Sequence, residues 1–160
     1  MEKYNDFTHF DEHGNAVMAD IGNKSVTVRL AVASGKITMS QECYNAVKSG
    51  SVKKGDVLSA ARLAGIMGAK QTASLIPLCH ILAIEHASID FQFNDGECAL
   101  TAECTIKVTA KTGAEMEALT GVAIALLTVY DMCKSIDKCM TISETCLLAK
   151  EGGKSGVYKA

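Results

Sequence analysis

The chain has 160 residues, 48% hydrophobic and 21% charged, which suits one packed domain over residues 1–160 and excludes disorder by self-repulsion or a disulfide-stapled miniprotein. Sixteen basic against eighteen acidic side chains leave a formal charge of −2, so no electrostatic case exists for holding a nucleic-acid backbone. The apolar runs fall short of the ~20 residues a bilayer requires, and residues 1–10 carry acids and no apolar signal stretch, so a cytoplasmic protein without a membrane span is expected. Seven cysteines with no C-x-x-C pair predict reduced, mostly buried thiols and no zinc site.

Val26, Val28, Leu30 and Val32 alternate with Thr27, Arg29 and Ala31, the period-two pattern of a half-buried strand whose apolar side is the valine side. Thr38 and Ser40 offer N-cap oxygens to a short helix over 42–48, stopped by Ser49 and Gly50. A second helix is predicted from about Gly55-Asp56 to Leu75. Val57, Ala60, Ala61, Ala64, Ile66 and Met67 recur there at helical spacing, Gly65 and Gly68 weaken it, and Pro77 ends it. Ala87, Ile89, Phe91 and Phe93 then share one side of a strand over 85–93. Asn94-Asp95-Gly96 turns the chain, and Leu100, Ala102, Cys104, Ile106 and Val108 continue the alternation in a hairpin partner.

A long helix is predicted over about 113–136, with Thr112 and Glu115 in a capping-box pattern. Leu119, Val122, Leu126, Val129, Tyr130 and Cys133 form its apolar stripe. Glu117, Thr120, Gly121, Thr128, Asp131 and Ser135 share the opposite, polar face. A last strand covers 141–149. This order predicts an α+β, ferredoxin-like fold: an antiparallel four-stranded sheet with helices packed on one side. Residues 1–24 and the Gly/Lys-rich tail 150–160 lack periodicity and are expected to drape over the domain or a neighbour.

Asp131 and Lys134 stand three residues apart and so side by side on the long helix. Taken alone they read as a solvated surface ion pair. The apolar neighbours Tyr130, Met132, Cys133 and Ile136 suggest a desolvated setting able to tune both groups for proton transfer. Glu115 and Glu117 suit the positive end of the helix dipole. Glu117 lies on the same side of the wheel as Asp131 but about 21 Å along the axis, so the two fit opposite ends of a long pocket or pockets shared between subunits.

Leu78-Cys79-His80 follows the only proline. Adjacent side chains point apart in an extended segment, so His80 reads as a hydrogen-bonder and Cys79 as a poor nucleophile candidate. Lys53 and Lys54 precede Gly55-Asp56 at a helix start, a place for phosphate or an ordinary charged loop. The 150–156 tail is not a P-loop, because Leu148 stands where the first glycine is required. Its glycines and lysines could still wrap an oligophosphate. His9, Asp11, Glu12 and His13 read as an exposed polar segment in preference to a metal site.

Several segments, in order, carry a resemblance: Lys54-Gly55-Asp56-Val57, Ile76-Pro77-Leu78-Cys79-His80, Lys111-Thr112-Gly113, Glu115-Met116-Glu117-Ala118-Leu119-Thr120, Tyr130-Asp131-Met132-Cys133-Lys134 and Gly152-Gly153-Lys154-Ser155-Gly156. From about Thr8 to the C-terminus the sequence resembles the cyclic pyranopterin monophosphate synthase family, also called molybdenum cofactor biosynthesis protein C. The resemblance implies conversion of a 3′,8-cyclised dihydroguanosine triphosphate to cyclic pyranopterin monophosphate with release of diphosphate. It implies Asp131 as general acid/base, with Lys134 beside it and Lys54 in the same catalytic set. It implies substrate contacts at Leu78, Cys79, His80, Met116 and Glu117, with Glu115 beside them.

Arg29, Lys24, Lys150 and Lys154 are the candidates for the triphosphate, since losing diphosphate requires cations at the developing charge. The resemblance implies no resident cofactor, Mg²⁺ with the triphosphate being left open. It also implies a homohexamer, a trimer of dimers with sites at the dimer interface. Ile81 stands where the family usually has a second proline, and Gly22 where serine is common. Two other readings compete: a regulatory ligand-binding domain without catalysis, and a hydrolase dependent on Cys79.

Overall fold

In the computed structural model, which describes residues 9–154 and 156–160, the predicted hairpin forms one half of an antiparallel sheet. Strand β1 (Thr27–Thr38) is followed by α1 (Gln41–Ser49), α2 (Val57–Lys70), the single turn α3 (Thr72–Leu75), β2 (Ile84–Asn94), β3 (Ala99–Ala110), α4 (Glu115–Cys133), β4 (Thr141–Glu151) and β5 (Tyr158–Lys159). The spatial order is β2-β3-β1-β4-β5. Its first four strands give the ferredoxin-like α+β arrangement, and β5 is a fifth strand that the sequence reading did not foresee. The tail does not drape: after Glu151 it turns back so that Tyr158 and Lys159 pair with Lys150 and Ala149.

The alternation in β1 is real, but the side chains facing the helices are the small ones. Ala31, Ala33, Gly35 and Ile37 are buried, while Val26 and Val28 are more than half exposed. Small residues let Val122 and Leu126 of α4 sit directly against the strand, so packing distance overrides hydrophobicity in choosing the inward face. Across the sheet, Ile37 pairs with Leu100, Ala33 with Cys104 and Ala31 with Ile106, and these residues join one hydrophobic core.

Helix α1 starts as expected, with Ser40 Oγ accepting from Cys43 N–H, and ends at Gly50 in the left-handed conformation. Helix α2 stops at Lys70 instead of running to Leu75, because Gln71 breaks the helical path before α3. Gly65 is a packing device: a Cβ there would stand 2.7 Å from the Gly121 carbonyl oxygen and 2.1 Å from Ile89 Cδ1. Glycine is what lets α2 and α4 approach backbone to backbone.

Helix α4 thus packs on the sheet and on α2 at once, which buries Glu117 and Gly121 on the face expected to be polar and leaves Leu119 and Tyr130 only partly buried. Its length and apolarity would satisfy a membrane span. The tertiary contacts give the physical reason: a helix covered on two sides is apolar nearly all round. The capping box does not form. The N-cap is Ala114, without a side-chain hydrogen bond, because the Glu115 carboxylate is engaged by Lys150 instead.

Candidate active site

The start of β1, the ends of β3 and β4 and the N-terminus of α4 converge at one edge of the fold, as the pairings Thr27–Ala110 and Leu30–Glu151 require. Two compartments lie there. The outer one, about 980 Å³, is lined by Lys24, Arg29, Lys111, Lys150 and Lys154 together with Gly152 and Gly153. The inner one, about 220 Å³, is lined by Leu78, Cys79, His80, Met116 and Glu117, with Leu82 and His9. Lys24, Thr112, Gly113 and Glu115 line both, so the compartments adjoin in one continuous cleft.

The outer compartment is built for anions. Arg29 Nη2 donates to the Lys111 carbonyl at 3.3 Å, while Arg29 Nε and Thr27 Oγ1 are buried without a hydrogen-bond partner in the chain. Gly152 and Gly153 carry φ of 92° and 77°, and a Cβ on Gly153 would fall 1.8 Å from Arg29 Nη1. The glycines of the tail are therefore required for the chain to cross the guanidinium. The Lys111 ammonium donates to the Gly22 carbonyl at 2.6 Å, tying the 19–24 loop to the end of β3. Burial opposes ionisation of Glu115. The Lys150 ammonium at 2.9 Å, a backbone N–H and the Arg29 charge outweigh it and hold the carboxyl below the usual carboxylate range.

Glu117 is 4% exposed, and burial, with the nearby Glu115 charge, pushes its carboxyl above the ordinary value despite a stabilising backbone N–H. Burial first, then the Glu117 charge, likewise raises the Cys79 thiol. A thiol held protonated is a poor nucleophile, which weighs against the hydrolase reading.

Asp131, Lys134 and Lys54 meet at the other end of α4. Lys134 Nζ lies 2.7 Å from Asp131 Oδ1, and Lys54 Nζ lies 3.6 Å from Oδ2 while donating to the Asp131 carbonyl at 2.7 Å. At the helix start that offered a place for phosphate, the side chains are engaged with one another and with α4. The Asp56 side chain itself caps α2 through Ser59 N–H, and Lys54 turns to Asp131. Nor is the pair desolvated, since the Asp131 side chain is 62% exposed. The Lys134 hydrogen bond and the two ammonium charges hold the Asp131 carboxyl below its usual range, and the same hydrogen bond raises Lys134. In the single chain the cluster is an aspartate side chain flanked by two lysines.

The structure thus groups Leu78, Cys79, His80, Met116, Glu117, Glu115, Arg29, Lys24, Lys150 and Lys154 around one cleft and places Asp131, Lys134 and Lys54 outside it. The residue reading overlooked Lys111, Thr112, Thr27 and the cleft position of His9. Lys111-Thr112-Gly113 stood among the resembling motifs without a role, and that was the available signal. No cluster of three or more metal-ligating side chains occurs among the described residues. Asp11 instead accepts from the His13 and Asn15 backbone N–H groups. Ser155 and residues 1–8, including Thr8, lie outside the described residues.

A ferredoxin-like domain with a cation-lined compartment beside a small pocket that holds a buried carboxylate and an imidazole has the fittings of a small-molecule site. The sequence profile of the MoaC family matches residues 18–153. The chain belongs to the MoaC family. It is 52% identical to the cyclic pyranopterin monophosphate synthase of Pelobacter propionicus, over 96% of each chain. It is 53% identical to the protein of the same name in Clostridium botulinum, over 96% of this chain and 97% of that one. The Chloroflexus aurantiacus protein of that name is 52% identical over 99% and 97%.

Proposed function

We propose that this chain is the enzyme its relatives are named for, a lyase of molybdenum cofactor biosynthesis. It converts (8S)-3′,8-cyclo-7,8-dihydroguanosine 5′-triphosphate to cyclic pyranopterin monophosphate and releases diphosphate. The carrying observation is the continuous cleft: a cation-lined compartment sized for a phosphate chain joined to a pocket with a buried carboxylate sized for the ring. Arg29, Lys24, Lys150 and Lys154 neutralise the triphosphate and stabilise the leaving diphosphate. Glu117, His80, Cys79, Met116 and Leu78 hold the ring, the carboxylate facing its guanidine-like edge. Glu115, fixed by Lys150, stands where the compartments meet. The positive charge comes from side chains, so no resident cofactor is invoked, and any Mg²⁺ enters with the triphosphate.

The proton-transfer groups are Asp131 and Lys134, with Lys54. A carboxylate beside two ammonium groups divides the work: Lys134 donates, and Asp131 accepts or steadies positive charge. Because these groups sit at the far end of α4 from the cleft, a second copy of the chain supplies them to the ring. The working form is then a homo-oligomer with sites at a dimer interface, consistent with a hexamer of three dimers. A soluble nucleotide-derived substrate suits a cytoplasmic enzyme. The test is incubation of the purified chain with the cyclised triphosphate, following diphosphate and the fluorescent oxidised pterin. Both products appear if the reading holds; binding without turnover would replace it with the regulatory ligand-binding reading.

A further inference from the structure

One wall of the inner pocket comes from neither α4 nor the loop after Pro77. His9, Ala19, Ile21 and Lys24 line it, and the segment bearing them is tied down. Val17 N–H donates to the His9 carbonyl at 3.0 Å and Asp11 N–H to the Asn15 carbonyl at 2.9 Å. A bridge joins Phe10 and Ala16, and the Asp11 carboxylate closes the turn on His13 and Asn15. Farther on, Lys111 holds Gly22. His9 therefore enters the pocket on a built hairpin, and Asp11 is spent on the turn instead of joining His9 around an ion.

We propose that His9 is a substrate-binding residue of the inner pocket, hydrogen-bonding the ring system that Glu117 and His80 contact; this rests on the reading of the cleft as the substrate site. A ring derived from guanine offers both donors and acceptors along its edges, and an ionised carboxylate can meet only the donors. Beside the weak donor Cys79, the donor Lys24 and the hydroxyl of Thr112, His80 and His9 are the pocket's imidazoles, each able to present either an N–H or a lone pair. His9 is solvent-accessible, so its removal costs the fold little and its contribution falls on binding.

The experiment compares His9→Ala, His9→Gln and, as a control on the same turn but outside the pocket, His13→Ala. Steady-state turnover of the cyclised triphosphate and thermal stability are read for each. The expected result is a KM about tenfold higher in His9→Ala, as loss of one substrate hydrogen bond gives, with kcat within about twofold. His9→Gln recovers most of the loss, His13→Ala matches wild type, and the melting temperature is the same in all. An unchanged KM in His9→Ala, or a loss that follows the melting temperature, overturns the assignment.

Calorimetric binding of guanosine triphosphate, a non-reacting probe, runs in parallel. If wild type binds the probe without turning over the substrate, the enzymatic reading fails while His9 stands or falls on whether His9→Ala binds the probe more weakly. If wild type neither binds nor turns over, both are overturned.

Discussion

At the N-terminal end of α4, Glu117 is almost wholly buried, its carboxyl is pushed upward by that burial, and neighbouring strands and loops enclose a pocket around it. At the C-terminal end, Asp131 stands in solvent between two lysines that push its carboxyl the other way. One end has the geometry of a finished binding site, and the other is a charged constellation with nothing to act on within its own chain. Proton transfer near neutral pH gains from groups drawn toward neutrality. In the proposed dimer, a partner's surface over the exposed cluster would exclude water and suit it to that task.

Five tests would break or sharpen that contrast. The largest effect belongs to Asp131→Ala, with turnover falling by about 10³-fold or more. Because the side chain is exposed, melting should shift by no more than about 2 °C. A variant that unfolds would make the cluster a structural ion pair. Next comes mixing. Asp131→Ala and Glu117→Gln, each inactive alone, should on co-refolding regain about a quarter of wild-type turnover if each site takes one end of α4 from each of two copies. No recovery would mean that one chain builds the whole site.

Gly153→Ala is expected to raise KM about tenfold and lower the melting temperature by a few degrees, since a Cβ collides with Arg29 and the residue holds a positive φ. Normal kinetics in that variant would remove Arg29 from the phosphate site. Cys79→Ser should lose less than about tenfold in kcat/KM, against the orders of magnitude that loss of a nucleophile brings.

The smallest effect concerns Glu117 in the resting fold. Its carboxyl has a folded value above the ordinary 4.5, so the stability linked to its proton is present below pH 4.5 and is lost as pH rises through the folded value. Glu117→Gln removes that loss. Thermal melts should show the variant more stable than wild type at neutral pH and level with it near pH 4. A difference that does not depend on pH would show the carboxyl to be unstrained.

Sequence legibility followed how local each signal was. The β2–β3 hairpin was readable because its alternation and its Asn94-Asp95-Gly96 turn lie within one short stretch, and the register Phe93–Leu100, Phe91–Ala102, Ile89–Cys104 agrees with it. The inward face of β1 was not, because what selects Ala31, Ala33 and Gly35 is the closeness of α4, an element some ninety residues away. The capping box at Thr112 failed for a similar reason: Lys150, distant in sequence, captures the Glu115 carboxylate.

The sequence by itself determined the order of the first four strands and the main helices, the antiparallel α+β class and the family, since periodicity, turn residues and motifs are read from neighbouring residues. It also placed Glu117 and Asp131 too far apart along one helix to act together in one chain, because helical rise is fixed by the backbone. Only the tertiary structure decided that the glycine-lysine tail returns as β5 beside β4, that Glu117 is buried while Asp131 is not, and that His9 faces the same pocket as His80. Burial and the fields around ionisable groups are set by atoms that the fold brings from distant parts of the chain, and local pattern carries no record of them.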